Sequence, residues 1–246
     1  MIEKSVLIST NVGKMDSSLF LSDKKNKPFI IFYMDAPAIR EELRNMCRRI
    51  SAEGYNVILP NLFYRLGTEG NYPFNQDTYM SDKKELGKML KTMNSTSNNM
   101  IINDTSYILG FIENEMNNKK NIGIVGYCMS GRFVVVCGAA YSKKIKSIAS
   151  FYGVDIYTQL SDSPHLSFGK IKGELYLAFA EKDVWVSDKQ INKIKEAISI
   201  NNISARVEIY KGTTHGFAFS ERANYDQKAS EKHWKELFAL FKRSLL

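Results

Sequence analysis

Asn121-Ile122-Gly123-Ile124-Val125-Gly126-Tyr127-Cys128-Met129-Ser130-Gly131-Arg132, continuing into Phe133-Val134-Val135-Val136, is the stretch that decides the fold. An apolar, β-branched run ends in a glycine-flanked cysteine, and a helix-compatible segment follows. This is the strand–turn–helix pattern of a nucleophile elbow, with cysteine in place of serine. A sharp turn forces the central residue into strained backbone, and Gly126 and Gly131 remove side chains that would collide there. The nucleophile then stands at the carboxyl edge of a sheet, beside helix N–H groups that favour a thiolate and can hold an oxyanion. Alone the pattern is short; it gains weight only if an acid and a histidine follow in order.

Working outward, composition sets the bounds. The chain has 246 residues, 44% of them hydrophobic, enough for one sizeable core. No run approaches the roughly 20 apolar residues of a membrane span, and Met1-Ile2-Glu3-Lys4-Ser5 does not begin a signal peptide. Three cysteines (Cys47, Cys128, Cys137) suit a reducing cytoplasm better than a disulfide framework. The formal charge is +8, but the lysines are scattered and not interleaved with aromatic residues, so a solvated basic surface is expected and no nucleic-acid partner. The three histidines are not spaced as metal ligands, and no metal or other cofactor is expected.

Ser5 to Phe20, around Gly13, reads as an edge hairpin. Phe29 to Met34 is a continuous apolar run, as in a strand buried on both faces, ending in Asp35-Ala36-Pro37. Ile39, Leu43, Met46, Cys47 and Ile50 form a helical stripe stopped by Gly54, and Tyr55 to Leu59 is the next strand. Gly67 to Met100 is polar and reads as a lid or an insertion with short helices, or else a linker. Ile101 to Met116 predicts a helix leading into the elbow strand. Beyond the elbow come strands at Ser147–Gly153, Glu174–Ala180 and Ala205–Tyr210, a helix at Ile191–Ile198, and a C-terminal helix carrying Trp234, Leu237, Phe238 and Phe241. Strands alternating with helices predict a mostly parallel sheet in one α/β domain over residues 1–246.

Asp35, Cys128, Asp183 and His215 each fall just past a predicted strand, and a parallel sheet brings its strand carboxyl ends to one edge. Nucleophile, acid, histidine is the order of the α/β-hydrolases. A thiol needs a histidine partner to be a thiolate at neutral pH, and an acid on the other ring nitrogen fixes the tautomer. Asp183 competes with Glu181 and Asp188 for that role. Asp35 could equally be a turn residue or helix cap. Cys47 and Cys137 read as core, and His165 and His233 as structural or solvent-exposed. Tyr64, Tyr152, Trp185 and Phe217 either line a binding site or simply pack.

These residues, together with Phe151-Tyr152-Gly153-Val154, Val186, His215-Gly216-Phe217-Ala218, Arg222, Tyr225-Asp226, Ala229, Glu231 and Trp234, give a chain that resembles the dienelactone hydrolase family from about Phe29 to its end, least so over Gly67–Met100. The resemblance implies an α/β-hydrolase fold, with a mostly parallel central sheet flanked by helices on both faces. It implies Cys128 as nucleophile, His215 as base, Asp183 as acid, and the N–H groups of Met129 and Ala36 as oxyanion donors. It implies an auxiliary carboxylate after the first central strand. Well-known members have glutamate there and this chain has Asp35, shorter by about one methylene, which suggests another branch of the family. Two arginines bind the substrate carboxylate in the family. Arg222 matches one by its position after His215, and Arg65 and Lys83 are the candidates for the other.

The expectation is therefore a cytoplasmic hydrolase of a small-molecule ester or lactone that bears a carboxylate, working through a thioester acyl-enzyme. Its rivals are a broad carboxylesterase and a non-catalytic thiol sensor or binding protein on the same fold. The sequence does not fix an oligomeric state.

Overall fold

The turn at Asn11-Val12-Gly13 pairs β1 (Ile2–Thr10) with β2 (Gly13–Leu21) as an antiparallel hairpin, the edge element that the sequence predicts. The computed structural model describes residues 1–24 and 26–246, which cluster into two units, Met1–Lys119 and Lys120–Leu246.

In Met1–Lys119 the strands run β1-β2-β4-β3. β3 (Phe29–Tyr33) is buried at every residue, as its unbroken apolar sequence requires, and lies parallel to β4 (Asn56–Pro60). Between them α1 (Glu41–Ala52) buries Leu43, Met46, Cys47 and Ile50. It starts after Ile39 because Ala38 is left-handed (φ 68) and Arg40 extended. Burial pushes the Cys47 thiol well up, the behaviour of an inert core cysteine.

Within Gly67–Met100, Asp82 caps α2 (Lys83–Asn94) through the Lys84 N–H at 2.7 Å. The preceding loop is tied to the β3–α1 loop by Gln76, whose Nε2 donates to the carbonyls of Pro37 and Ile39 at 2.7 and 2.9 Å. α3 (Asn98–Asn114) begins earlier than its apolar stripe because Ser97 caps it, accepting from the Met100 N–H. This helix carries Asp104, fully buried, which accepts two 2.7 Å bonds from Arg65 and one of 2.9 Å from Tyr64.

In Lys120–Leu246 the four strands are parallel, in the order β5 (Ile122–Tyr127), β6 (Ile145–Phe151), β7 (Glu174–Lys182), β8 (Ala205–Thr214). α4 (Gly131–Ala140) packs on β5 and β6 and buries Phe133, Val134, Val135 and Cys137. α5 (Asp188–Asn201) starts at a Ser187–Gln190 capping box, and α6 (Gln227–Leu245) packs on β5, β6 and β7 through Trp234, Leu237, Leu240 and Phe241. β6 stops at Phe151, two residues before the predicted end, because Tyr152 turns left-handed (φ 39). β8 runs on past Tyr210, with a register shift against β7 and Gly212 at φ 78. No helix among the described residues is long and apolar enough to cross a membrane.

The contrast between ion pairs gives a stability test. Asp104→Ala leaves the Arg65 guanidinium without its buried partner and should lower the unfolding free energy by about 3–5 kcal/mol. Glu196→Ala, which breaks the exposed Lys193–Glu196 pair, should leave the unfolding free energy nearly unchanged. Urea unfolding of both variants checks the difference.

Candidate active site

At the end of β5 the chain turns into a short 3₁₀ segment, Cys128–Ser130, before α4. Cys128 is left-handed (φ 53), a conformation disfavoured for any residue with a Cβ. Three contacts impose it. Ser130 closes the turn: the Tyr127 N–H donates to its Oγ, and its hydroxyl donates to the Tyr127 carbonyl, both at 3.1 Å. A Cβ on Gly126 would lie 2.6 Å from the Ser130 carbonyl oxygen, and one on Gly131 would lie 2.3 Å from the Gly153 Cα. The Val154 N–H donates to the Cys128 carbonyl at 3.1 Å, which locks the turn after β6 onto the elbow. Ser130 stands where the elbow pattern has its second glycine, and the clamp is its use there.

Below the elbow, Tyr127 is fully buried and its hydroxyl meets His233 Nε2 at 2.7 Å. His233 Nδ1 faces the Ser230 carbonyl at 3.2 Å. A carbonyl only accepts, so Nδ1 carries the proton and Nε2 accepts from Tyr127. His233 is thus a buried anchor of the elbow strand, one of the two roles its sequence context left open. The partnership was invisible in sequence because 106 residues separate the two. His165 is half-buried, with its ring 4.4 Å from that of Tyr157.

The other predicted groups of this unit sit past β7 and β8. Asp183 Oδ2 meets His215 Nδ1 at 2.8 Å, while Oδ1 accepts from the Trp185 N–H at 2.9 Å. The carboxylate is therefore held at both oxygens, and its side chain is fully buried. The competitors lie elsewhere: Glu181 pairs with Lys211 and the Gly212 N–H, and Asp188 opens α5. His215 is steadied by the Tyr152 ring, edge-on at 5.0 Å, and by Asn224, which donates to its carbonyl. With Nδ1 donating to Asp183, Nε2 is buried and has no hydrogen-bond partner among the described residues. Burial disfavours a charged ring here, yet the negative charge of Cys128 and the Asp183 hydrogen bond outweigh it and push the His215 pKa up to about 10. Cys128 is thereby coupled to His215.

Arg222 lies against the His215 loop: its Cδ would be 3.2 Å from a Cβ on Gly216. Tyr152 and Phe217 are buried packing residues, whereas Trp185 is 56% exposed, with its ring 6.4 Å from that of His215. Cys137 is buried in α4.

In Met1–Lys119, Asp35 and Ala36 follow β3 and are both buried. Arg40 grips Asp35 at both oxygens, 2.5 and 3.2 Å. Asp35 is not the cap of α1, since Arg40 occupies that position and makes no side-chain cap bond. Arg65 is committed to Asp104, and Lys83 is an exposed residue opening α2. Tyr64 is tied to Asp104 and Thr10.

A family model described as the dienelactone hydrolase family matches residues 15–245. A Synechocystis sp. protein named "Putative carboxymethylenebutenolidase" is 27% identical over 222 residues, spanning 89% of this chain and 87% of that one. Among solved structures, a Klebsiella pneumoniae protein named "Putative Dienelactone Hydrolase" gives a TM-score of 0.85 at 18% identity, covering 98% of each chain. A dienelactone hydrolase-like promiscuous phosphotriesterase from metagenomic libraries gives 0.78 at 11% identity, covering 100% of this chain and 99% of that one. The match across residues 15–245, on a chain with the α/β-hydrolase fold of these neighbours, shows that it belongs to the dienelactone hydrolase family.

Proposed function

We propose that this hydrolase-family protein cleaves a carboxylic ester or lactone with Cys128 as nucleophile, His215 as proton carrier and Asp183 as the group that orients it. The observation that carries the reading is the strained Cys128 in electrostatic contact with a His215 whose other nitrogen is fixed by Asp183. A thiolate on Cys128 adds to the carbonyl carbon, and the oxyanion is held by N–H groups at the start of the helix, that of Met129 first. Collapse breaks the carbon–oxygen bond of the ester, and the leaving alkoxide takes the proton from the His215 imidazolium. His215 then removes a proton from water as that water attacks the thioester, and the acid leaves as the thiolate is restored.

The resemblance to the family supports giving Asp35 the role of auxiliary carboxylate and the Ala36 N–H that of a further oxyanion donor. Arg222, beside the His215 loop, is the cation we assign to a substrate carboxylate. The proposed partner is accordingly a small ester or lactone bearing a negative group, and the proposed setting is the cytoplasm.

Acyl-enzyme trapping tests the reading. Activated aryl esters and unsaturated lactones should add one acyl group to Cys128, located by peptide mass, and the label should turn over. Cys128→Ala should lower kcat by at least about a thousandfold, with the circular dichroism unchanged. Label that forms and never leaves would instead favour a thiol sensor, and hydrolysis by a folded Cys128→Ala variant would overturn the nucleophile assignment. Comparable rates on simple aryl esters and lactones would favour a broad carboxylesterase.

The charge on His215 also sets a pH dependence. Its pKa is raised in the folded state, so its stabilisation is complete below about 6.5 and is lost as pH rises to about 10. Unfolding free energy should decline across that window. Asp183→Asn removes the negative charge that favours the imidazolium, so the alkaline fall in both stability and activity should move to lower pH.

A further inference from the structure

Asp183-Val184-Trp185-Val186-Ser187 joins β7 to α5 and is held along its length. Asp183 meets His215, Val186 is buried, and the Ser187 hydroxyl caps α5 by accepting from the Gln190 N–H. In between, the Trp185 N–H donates to Asp183 Oδ1 at 2.9 Å. That last tie is made by backbone, and any residue but proline supplies such an N–H. Holding the acid therefore makes no demand on the indole. Yet the indole stands 56% exposed on this fixed loop, and among the described residues its only ring contact is with His215, 6.4 Å between centroids and 58° between planes. Scattered exposed apolar residues are ordinary. This one offers a large, uncovered aromatic surface beside the imidazole that handles the proton, and covering it would be favourable.

The proposed chemistry says which part of a substrate comes there. The leaving oxygen has to approach His215 Nε2 to about 3 Å to take its proton. Nδ1 is closed by Asp183, and the buried Tyr152 ring lies edge-on at 5.0 Å. The carbon skeleton on the leaving oxygen is thus delivered within a few ångströms of the indole, whereas the acyl group is tethered to Cys128. We propose that Trp185 is a substrate-binding residue for the alcohol portion of the ester, selecting alcohols with an aromatic group over small ones. The inference rests on the reading of Cys128, His215 and Asp183 given above. The contact exists before the carbon–oxygen bond breaks and is lost when the alcohol departs, so Trp185 acts on acylation and not on deacylation.

The test uses the full chain and two pairs of esters, methyl and benzyl acetate and the monomethyl and monobenzyl esters of fumaric acid. In Trp185→Ala, kcat/KM should fall about tenfold for the benzyl esters and stay within about twofold for the methyl esters. The rate constant for hydrolysis of the acyl-enzyme should not change, and Trp185→Phe, which keeps a ring, should retain most of the benzyl preference. A residue that merely holds the acid loop would affect both alcohols and would slow deacylation too, because His215 serves both steps. An equal fall for methyl and benzyl esters, slowed deacylation, or an unchanged benzyl preference overturns the proposal. So does a change in the preference between methyl acetate and methyl phenylacetate, which vary only in the acyl group. If circular dichroism shows that Trp185→Ala does not fold, Trp185→Gln is read against the same outcomes. Hydrolysis by Cys128→Ala, or no acylation of Cys128 by any of these esters, overturns the underlying reading and is seen without any change at Trp185.

Discussion

A left-handed cysteine at the end of a buried strand is the constraint on which the second half of the molecule depends. Holding a residue with a Cβ in that region costs roughly 1–3 kcal/mol, and the surrounding sequence is arranged to meet that cost. Ser130 folds its hydroxyl back on Tyr127, and Gly126 and Gly131 let backbones approach where any side chain would clash. The Val154 N–H pins the elbow to the next turn, and His233 holds the strand from α6. Each contact is small, but together they leave Cys128 no relaxed alternative, which fixes where its sulfur points.

The electrostatics follow from that placement. Asp183 has both oxygens engaged, one on His215 and the other on the Trp185 N–H, which holds it in line with the imidazole. His215 carries its charge far into the alkaline range because two negative groups outweigh its burial. In the other unit, Asp35 and Asp104 are each held by an arginine through both oxygens, yet they differ in setting. Asp104 lies on a helix among core residues, while Asp35 lies in the loop just past β3, the kind of position where α/β folds place ligands.

Most of the strand and helix pattern was legible in the sequence because it rests on local signals. These are the apolar run of β3, the stripe Leu43–Met46–Cys47–Ile50, and the glycine-flanked cysteine. Boundaries were displaced where a cap or a left-handed residue intervened: Ser97 started α3 early, and Tyr152 stopped β6 short. The Asp183–His215 pairing was readable from strand ends, since parallel strands bring those ends together. Partnerships set only by tertiary packing were not readable. Neither His233 beneath Tyr127 nor the ion pair of Arg132 with Asp155 has a sequence signature, and the charge on Arg65 drew attention that its buried partner Asp104 explains.

The two tryptophans of the chain lie in opposite surroundings. Trp234 is buried beside His233, while Trp185 projects toward solvent with its ring near the imidazole of His215. Protonated imidazole quenches indole emission by accepting an electron from the excited ring. The loop that holds the acid therefore also carries an optical probe of the histidine it orients. Emission from Trp185 should brighten when His215 loses its proton, so the charge of this imidazole could be followed on the unlabelled protein.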